Sequence, residues 1–547
     1  MTAVRGRAAR RAALSGTLLA LLAACGGESS GPASPTTPAT PTPAPEQSVR
    51  FTIDTETSRH PISPSVYGVN QADWAGRSRP MRLGRLGGNR WTAYNWETNA
   101  SNAGSDFRHQ NDDFLGGGEI PGEAVRPYVA QAHAAGASVV VTVPMAGYVS
   151  ADKNGGGDVN QTPDFLNVRF RKTGIKGRGF AYPPDPGDDV VYLDEFVSWL
   201  EGAFPEARSD AGRTIFYCLD NEPDLWASTH PRIRPTGKLT YDELLSRTLA
   251  LAGAIKRVAP EALVFGPVSY GWAGYASLQD APDASGRDFL DFYLSSLRAA
   301  EGSTGRRLVD VVDLHWYPEA RGGGVRVTEN DSSPAVVAAR IQAPRSLWDA
   351  SYVETSWISQ DARAGAIRLI PWMKEKIAAH YPGTRLAFTE YNYGGGRDVS
   401  GALAQADVLG IFGREDVFAG AAWASDPDQV YLHAGFYAFV NHDGLGGRFG
   451  DTSVAAATSN HEATAVYASV DEGRDDRVVI VAINKSTGAT NAEMSISHPR
   501  ALASGRSFQI TSASPALVGG PALSPAAPNL FRIRLPARSV TTIVLGP

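Results

Sequence analysis

Only two cysteines, Cys25 and Cys218, occur in 547 residues. That rules out a disulfide-rich scaffold, and no clustered Cys and His set with metal-ligand spacing appears. Positive charge is not in excess either: 51 Lys and Arg against 57 Asp and Glu give a formal charge of −6. Such a balance argues against nucleic acid or an anionic membrane surface as a partner. There is no internal repeat, and nothing calls for a second subunit, so a monomer is expected. The length exceeds the usual range of one domain, and two folded units are expected.

The N-terminus has a different texture. Arg5, Arg7, Arg10 and Arg11 precede the apolar segment ALSGTLLALLAA. That segment has signal-peptide length and falls short of the ~20 apolar residues that span a bilayer. It ends in Leu22-Ala23-Ala24-Cys25-Gly26, which resembles a bacterial lipobox. Residues 1–25 therefore read as a lipoprotein signal peptide whose cleavage leaves Cys25 as a lipid-modified N-terminus. A plain secretory signal with a chance cysteine is the alternative. Either way Cys25 and Cys218 are not expected to pair. Residues 26–48, rich in Pro, Thr, Ser and Ala, hold nothing that builds a core and read as a semi-extended tether. The expected location is outside the cell or in its envelope, lipid-anchored or secreted.

From residue 65 short apolar runs alternate with helical patterns, the signature of parallel β/α units. The runs are 65–70, 81–88, 138–144, 214–220, 262–268, 309–317, 385–394 and 418–425. Helical stretches between them include YDELLSRTLALAGAIKRVAP and a longer one, from residue 358 to 383, that Pro371 is expected to kink or divide. Eight units predict an α/β fold, a (β/α)8 barrel over 65–432 with its active site at the C-terminal ends of the strands. Residues 433–547 read as short alternating strands, an all-β sandwich. VRFTIDT has the same character, so 49–64 is expected to pair with that sandwich.

The stretch YCLDNEPDLW, 217–226, ends the fourth run in acids. In a barrel Glu222 follows strand four and Glu390 ends strand seven, so the two carboxyl groups can meet across the mouth. Paired carboxyls are what glycosidic cleavage requires: a proton for the leaving oxygen and stabilisation of an oxocarbenium-like centre. Asn70, Asn89, Arg90, His315, Trp316, Tyr317 and Trp423 fall at other strand ends, and such a rim suits an uncharged polyhydroxylated ligand. Taken alone, each glutamate is equally well a structural one.

Several stretches carry a family resemblance: GGNRWTAYNWETNASNAGSDF (87–107), LDNEPDLWASTHPRI (219–233), DLHWYPE (313–319), YVETSWIS (352–359) and FTEYNYGGGRDVSGALAQADVLGIFG (388–413). In order, over residues 50–547, the chain resembles bacterial glycoside hydrolases of family 44, the endoglucanase and xyloglucanase family. The resemblance implies a barrel with a β-sandwich and a retaining mechanism, with Glu222 as general acid/base and Glu390 as nucleophile. It places Asn221 on the sugar 2-hydroxyl and makes Asp220 a support of the strand end. His315 and Tyr317 are expected to orient Glu390 or the substrate, and Tyr391 to hold the nucleophile. Trp96, Trp226, Trp316, Trp357 and Trp423 are candidates for sugar stacking, each equally a candidate for the core. Asn89, Arg90, Tyr94 and Asn95 either bind substrate or close their own loop.

No cofactor is needed for such chemistry. Similarity to the family also implies a structural calcium ion, for which the loop 150–164 with Asp152 and Asp158 is the candidate. The expected activity is endo-β-1,4-glucan hydrolysis on xyloglucan, cellulosic or mixed-linkage chains. The alternatives are a β-1,4-mannanase or xylanase, or a tethered glycan-binding lipoprotein without catalysis.

Overall fold

The computed structural model describes residues 47–547 except 235, 236 and 475. The leader, Cys25 and the tether up to residue 46 lie outside the described residues. Eight parallel strands close into a barrel: Gly68–Asn70, Leu83–Leu86, Ser138–Val143, Ile215–Leu219, Val264–Ser269, Val311–Trp316, Arg385–Tyr391 and Ala419–Ala422. They follow chain order around the ring, and the eighth pairs with the first. Each predicted apolar run supplies one strand. The runs alternate little because a barrel strand is covered on both faces; SVVVTV and IFYCL are buried at every position.

Inside the barrel, side chains change character along the strands. Leu83, Val140, Phe216, Val311 and Ala387 belong to one apolar cluster. Two residues further on stand Arg85, Thr142, Cys218, Asp313 and Thr389, all buried. Period-two alternation keeps both sets on the same face. The barrel is thus apolar deep inside and polar just beneath its C-terminal rim.

Helix Tyr241–Val258 begins where Thr240 Oγ1 accepts the Glu243 amide, and buries Leu244, Thr248, Leu251 and Ile255. The break expected at Pro371 falls earlier. A π-helical turn, Ile358–Ala362, is separate from helix Leu369–His380, which starts after Arg368 in a left-handed conformation. Pro371 sits in the first turn, where a missing N–H removes no intrahelical bond.

The C-terminal strands form a ten-stranded sheet around a core that includes Phe51, Ile53, Met494, Phe531 and Ile543. Strand Gln47–Asp54 belongs to it, parallel to Thr490–Ser497 and antiparallel to Thr452–Thr458. It starts at Gln47, two residues before the boundary read from composition. The division read at 432/433 falls inside helix Val430–Val440, which completes the last β/α unit. That helix is apolar on nearly every side and buried almost throughout, so no helical periodicity marks it. Sheet and barrel meet at Asp407 on helix Val399–Arg414, where Lys485 Nζ and Tyr467 Oη each donate a 2.6 Å hydrogen bond to its carboxylate.

Candidate active site

Glu222 stands just past strand four with φ +46°, and Asp220 two residues earlier has φ +67°. A left-handed backbone at two non-glycine residues costs energy and persists only where surrounding bonds fix it. Asp220 supplies those bonds. Its carboxylate accepts the hydroxyl of Thr92 at 2.6 Å and the amides of Asn221, Ala146 and Met145. Trp226 Nε1 donates to the Asn221 carbonyl at 3.2 Å, pinning the same turn.

The Asn221 side chain is oriented as firmly. Its Oδ1 accepts from Arg85 Nη2 at 2.8 Å and from the Gly88 amide at 3.2 Å, which turns its NH2 the other way. Arg85 is fully buried, with Nη1 on Asn70 Oδ1 at 3.0 Å and on Glu390 Oε2 at 2.9 Å. Asn70 is in turn anchored by its Nδ2 to the carbonyls of Thr389 and Ala421. One guanidinium therefore ties strands one, two and seven to the Asn221 turn. An arginine in the middle of the second apolar run, between Gly84 and Leu86, was the available signal for it, and sequence reasoning missed it.

Glu390 accepts a second bond, from Tyr317 Oη to Oε1 at 2.7 Å. His315 Nδ1 lies 2.8 Å from Glu222 Oε1 and 3.7 Å from Glu390 Oε2. One donor atom from each of Glu222, His315 and Glu390 falls within 4.8 Å of the others. Burial pushes Glu222 up to about 7, with Arg85 opposing and Asp106 adding to the rise. Burial pulls His315 down to about 3, so its imidazole is neutral near pH 7. The pair thus holds one carboxyl group close to its protonated form beside another that takes two oriented hydrogen bonds.

Other expected positions fall elsewhere. Trp96 is core, stacked on Phe196 with its Nε1 on the Tyr192 carbonyl, and no sugar reaches it. Trp226 is likewise fully buried. Tyr391 and Trp316 follow Glu390 and His315 directly, so alternation turns them out of the barrel. Tyr391 Oη accepts from Gln405 instead of meeting Glu390, and Trp316 donates to Tyr393 Oη. Asn95 spends its amide on the Ser150 carbonyl and the Glu97 amide, and Tyr94 Oη donates to Asn99; both are buried loop braces. Arg90 holds Asp112 through both oxygens, and Asn89 donates to Asp106 at 2.7 Å.

Trp423 remains accessible. It lines a cavity of about 530 Å³ together with Gly88, Asn89, Asp106, Phe107 and Phe114. Its ring packs so closely on Gly88, at φ +95°, that a Cβ there would lie 2.8 Å from it. Phe107 and Phe114, 48% and 70% exposed, are aromatic faces that sequence reasoning passed over. Trp357 is 41% exposed on the segment following strand six.

The calcium expectation does not fit its loop. Asp152 is held by Arg169 at 2.6 and 2.8 Å, and Asp158 by Arg232 at 2.9 and 2.6 Å. Their oxygens go to separate guanidinium groups and form no common anionic cage. Glu222, His315 and Glu390 are spaced like metal ligands, yet Arg85 already supplies the cation against Glu390.

The sequence pattern of glycoside hydrolase family 44 matches residues 100–320. Endoglucanase A of Paenibacillus lautus is 40% identical over 520 residues, 91% of this chain and 72% of that protein. The β-mannanase/endoglucanase A of Caldicellulosiruptor saccharolyticus is 43% identical over 467 residues, 80% of this chain and 34% of that protein. A Paenibacillus polymyxa xyloglucanase of family 44, solved with xyloglucan, superposes with a TM-score of 0.87 at 40% identity, covering 92% of this chain and all of that one. With this fold and this likeness along nearly its whole described length, the chain is an enzyme that cleaves glycosidic bonds and belongs to glycoside hydrolase family 44.

Proposed function

We propose that the enzyme is a retaining endo-β-1,4-glucanase acting on xyloglucan, cellulosic or mixed-linkage β-glucans, with Glu390 as nucleophile and Glu222 as acid/base. The carrying observation is the approach of the two carboxyl groups to within 4.8 Å. Retaining enzymes hold such a pair about 5–5.5 Å apart, whereas inverting ones keep about 6.5–9.5 Å free for a water. In the first step Glu390 attacks the anomeric carbon while Glu222 gives its proton to the departing oxygen. Arg85 and Tyr317 hold both Glu390 oxygens, fixing the rotamer for attack. In the second step Glu222, now ionised, takes a proton from water, and that water displaces Glu390 from the sugar. His315, neutral, keeps Glu222 facing the bond without competing for charge. The NH2 of Asn221 is the donor for the neighbouring sugar hydroxyl.

A polymer as substrate is supported by aromatic faces beyond what one sugar needs: Trp423, then Phe107 and Phe114 along the cavity, and Trp357 on another loop. Aromatic rings offer the apolar faces of pyranoses a matching surface. A binding-only role would leave the paired carboxyls and their three partners without use. The mannanase and endoglucanase name carried by one relative keeps mannan among the substrates to be compared. Export with a lipid on Cys25 is part of the same reading, and so is a monomeric state. Among the described residues no helix is long and apolar enough to cross a membrane.

The test is product analysis on xyloglucan, carboxymethylcellulose, lichenan, mannan and xylan, with the anomer first released read by NMR. Internal cleavage of a β-1,4-glucan with β-anomer released first is expected. An α-anomer, or activity confined to mannan or xylan, overturns the mechanism or the substrate respectively.

A further inference from the structure

Away from the barrel mouth, the outer face of the sheet carries a second feature of ligand-binding size. Strands Gln47–Asp54, Thr490–Ser497 and Leu530–Leu535 lie side by side at one edge of the sheet. Register sets Arg50 opposite Glu493 and Glu493 opposite Arg532, with Ser48, Asn491 and Arg534 forming the next row. Over these rows runs an open trough of about 670 Å³. Its floor is the backbone at Val49, Ala492 and Ile533, whose side chains point into the core.

Among the described residues the trough is lined by three arginines and one carboxylate, on a chain whose overall charge is negative. Glu493 is committed to Arg532 through one oxygen at 2.9 Å. Among the described residues no ion pair engages the Arg50 guanidinium, which is exposed. Among the described residues no aromatic side chain lines the trough, so they offer it none of the stacking faces by which a neutral glycan is held. Guanidinium groups match carboxylates through paired hydrogen bonds, the strong form of the interaction. Concavity matters as well: a flat bilayer cannot enter a trough between two rows of side chains, whereas a chain can lie along it.

We propose that this trough is a second binding site, for a linear polyanionic polysaccharide bearing carboxylates, a polyuronate. Arg50 and Arg532 are its principal contacts and Arg534 extends it. The site lies on the sheet domain and needs no particular glucan in the barrel. By holding a charged polymer that accompanies the neutral substrate, it would raise the local concentration of enzyme at a mixed matrix.

Native gels cast with polygalacturonate, with its methyl ester, or with neither read this directly on the full-length protein. Retardation by polygalacturonate that disappears at about 0.5 M salt is expected, because exposed charges are screened there. The methyl ester should not retard it. Arg50→Gln with Arg532→Gln should weaken the retardation at least about tenfold, as loss of charge-assisted bonds does. Glu493→Gln, which removes a lining carboxylate, should strengthen it. All variants should keep wild-type melting and hydrolysis of soluble β-glucan, which separates this site from the barrel. Equal retardation of the arginine variant, retardation by the methyl ester, or binding only to phosphatidylglycerol vesicles overturns the proposal.

Discussion

His315 Nδ1 lies 2.8 Å from Glu222 and 3.7 Å from Glu390, a neutral ring between two carboxyl groups. Burial places His315 at about 3 and Glu222 at about 7. Of these two groups only Glu222 changes charge near neutral pH. As acid it must start protonated, so kcat/KM should fall as pH rises through about 7. His315→Asn should lower kcat about 10–100-fold, within the range of a lost positioning bond to a general acid, yet keep that alkaline limb. If the limb vanished in His315→Asn, the titrating group would be the histidine and the assignment would fail.

The two glutamates should separate by leaving group. Glu222→Gln removes proton donation and should cost about 10²–10⁴ in kcat on polymeric glucan, but much less on an aryl glycoside whose phenolate needs no proton. Added azide should restore turnover, giving a β-glycosyl azide. Glu390→Gln should be inactive on both substrates and unresponsive to azide in the same position. Azide rescue of Glu390→Gln with retained configuration would exchange the two roles.

The same buried carboxyl has a stability consequence. Glu222 is raised above its ordinary value on folding, so its contribution is fully present below about pH 4.5 and is lost as pH rises through about 7. Glu222→Gln has no such loss. Its unfolding free energy should match wild type near pH 5 and exceed it above pH 7, by the roughly 1–3 kcal/mol that a shift of this size represents. Calorimetry across pH 5–8 decides, and a difference independent of pH would rule out this origin.

The meeting of Glu222 and Glu390 was legible because a parallel barrel puts strand ends together, and apolar runs marked every strand. A count of units placed Glu222 and Glu390 at facing strand ends, and the family resemblance gave them their expected roles. Arg85 was missed because a charge inside an apolar run has no reading until its partners are known, and Asn221 and Glu390 are 136 and 305 residues away. Tyr391 and Trp316 were misplaced although alternation was available. Once Glu390 and His315 are set inward, their neighbours must face out. Trp96 sits in a turn and Trp226 opens a four-residue helix, Trp226–Thr229, both too short for a period, so only packing decides between rim and core. The calcium loop failed for a similar reason, since Asp158 finds Arg232 at a separation of 74 residues. The last barrel helix was hidden because burial between barrel and sheet erased its polar face.

Arg85 should matter to both folding and turnover. Its replacement by Met leaves Glu390 buried without its cation and Asn221 without one donor. Breaking a buried pair in this way costs about 3–5 kcal/mol, and kcat should fall along with the melting temperature. Tyr317→Phe removes one hydrogen bond to the same carboxylate and should cost only about 1 kcal/mol of stability, so its effect should appear mainly in kcat. Urea unfolding beside steady-state kinetics separates the two. A Tyr317→Phe enzyme with unchanged kcat would show that Arg85 alone positions Glu390.

Lys485 and Asp407 join the sheet to the barrel with both side chains 2% exposed, about as buried as any ion pair among the described residues. Tyr467 Oη completes the carboxylate's partners. Lys485→Met removes the cation and leaves a buried carboxylate with one hydroxyl, which should cost about 3–5 kcal/mol. Lys485→Met with Asp407→Leu removes the stranded charge too, and should recover much of the loss because apolar packing of similar volume can replace a buried pair. Chemical denaturation of the two variants and of Asp407→Leu alone completes a double-mutant cycle. A coupling near zero would mean that the sheet is held to the barrel by the apolar contacts of helices Val399–Arg414 and Val430–Val440, with the ion pair adding nothing to the join.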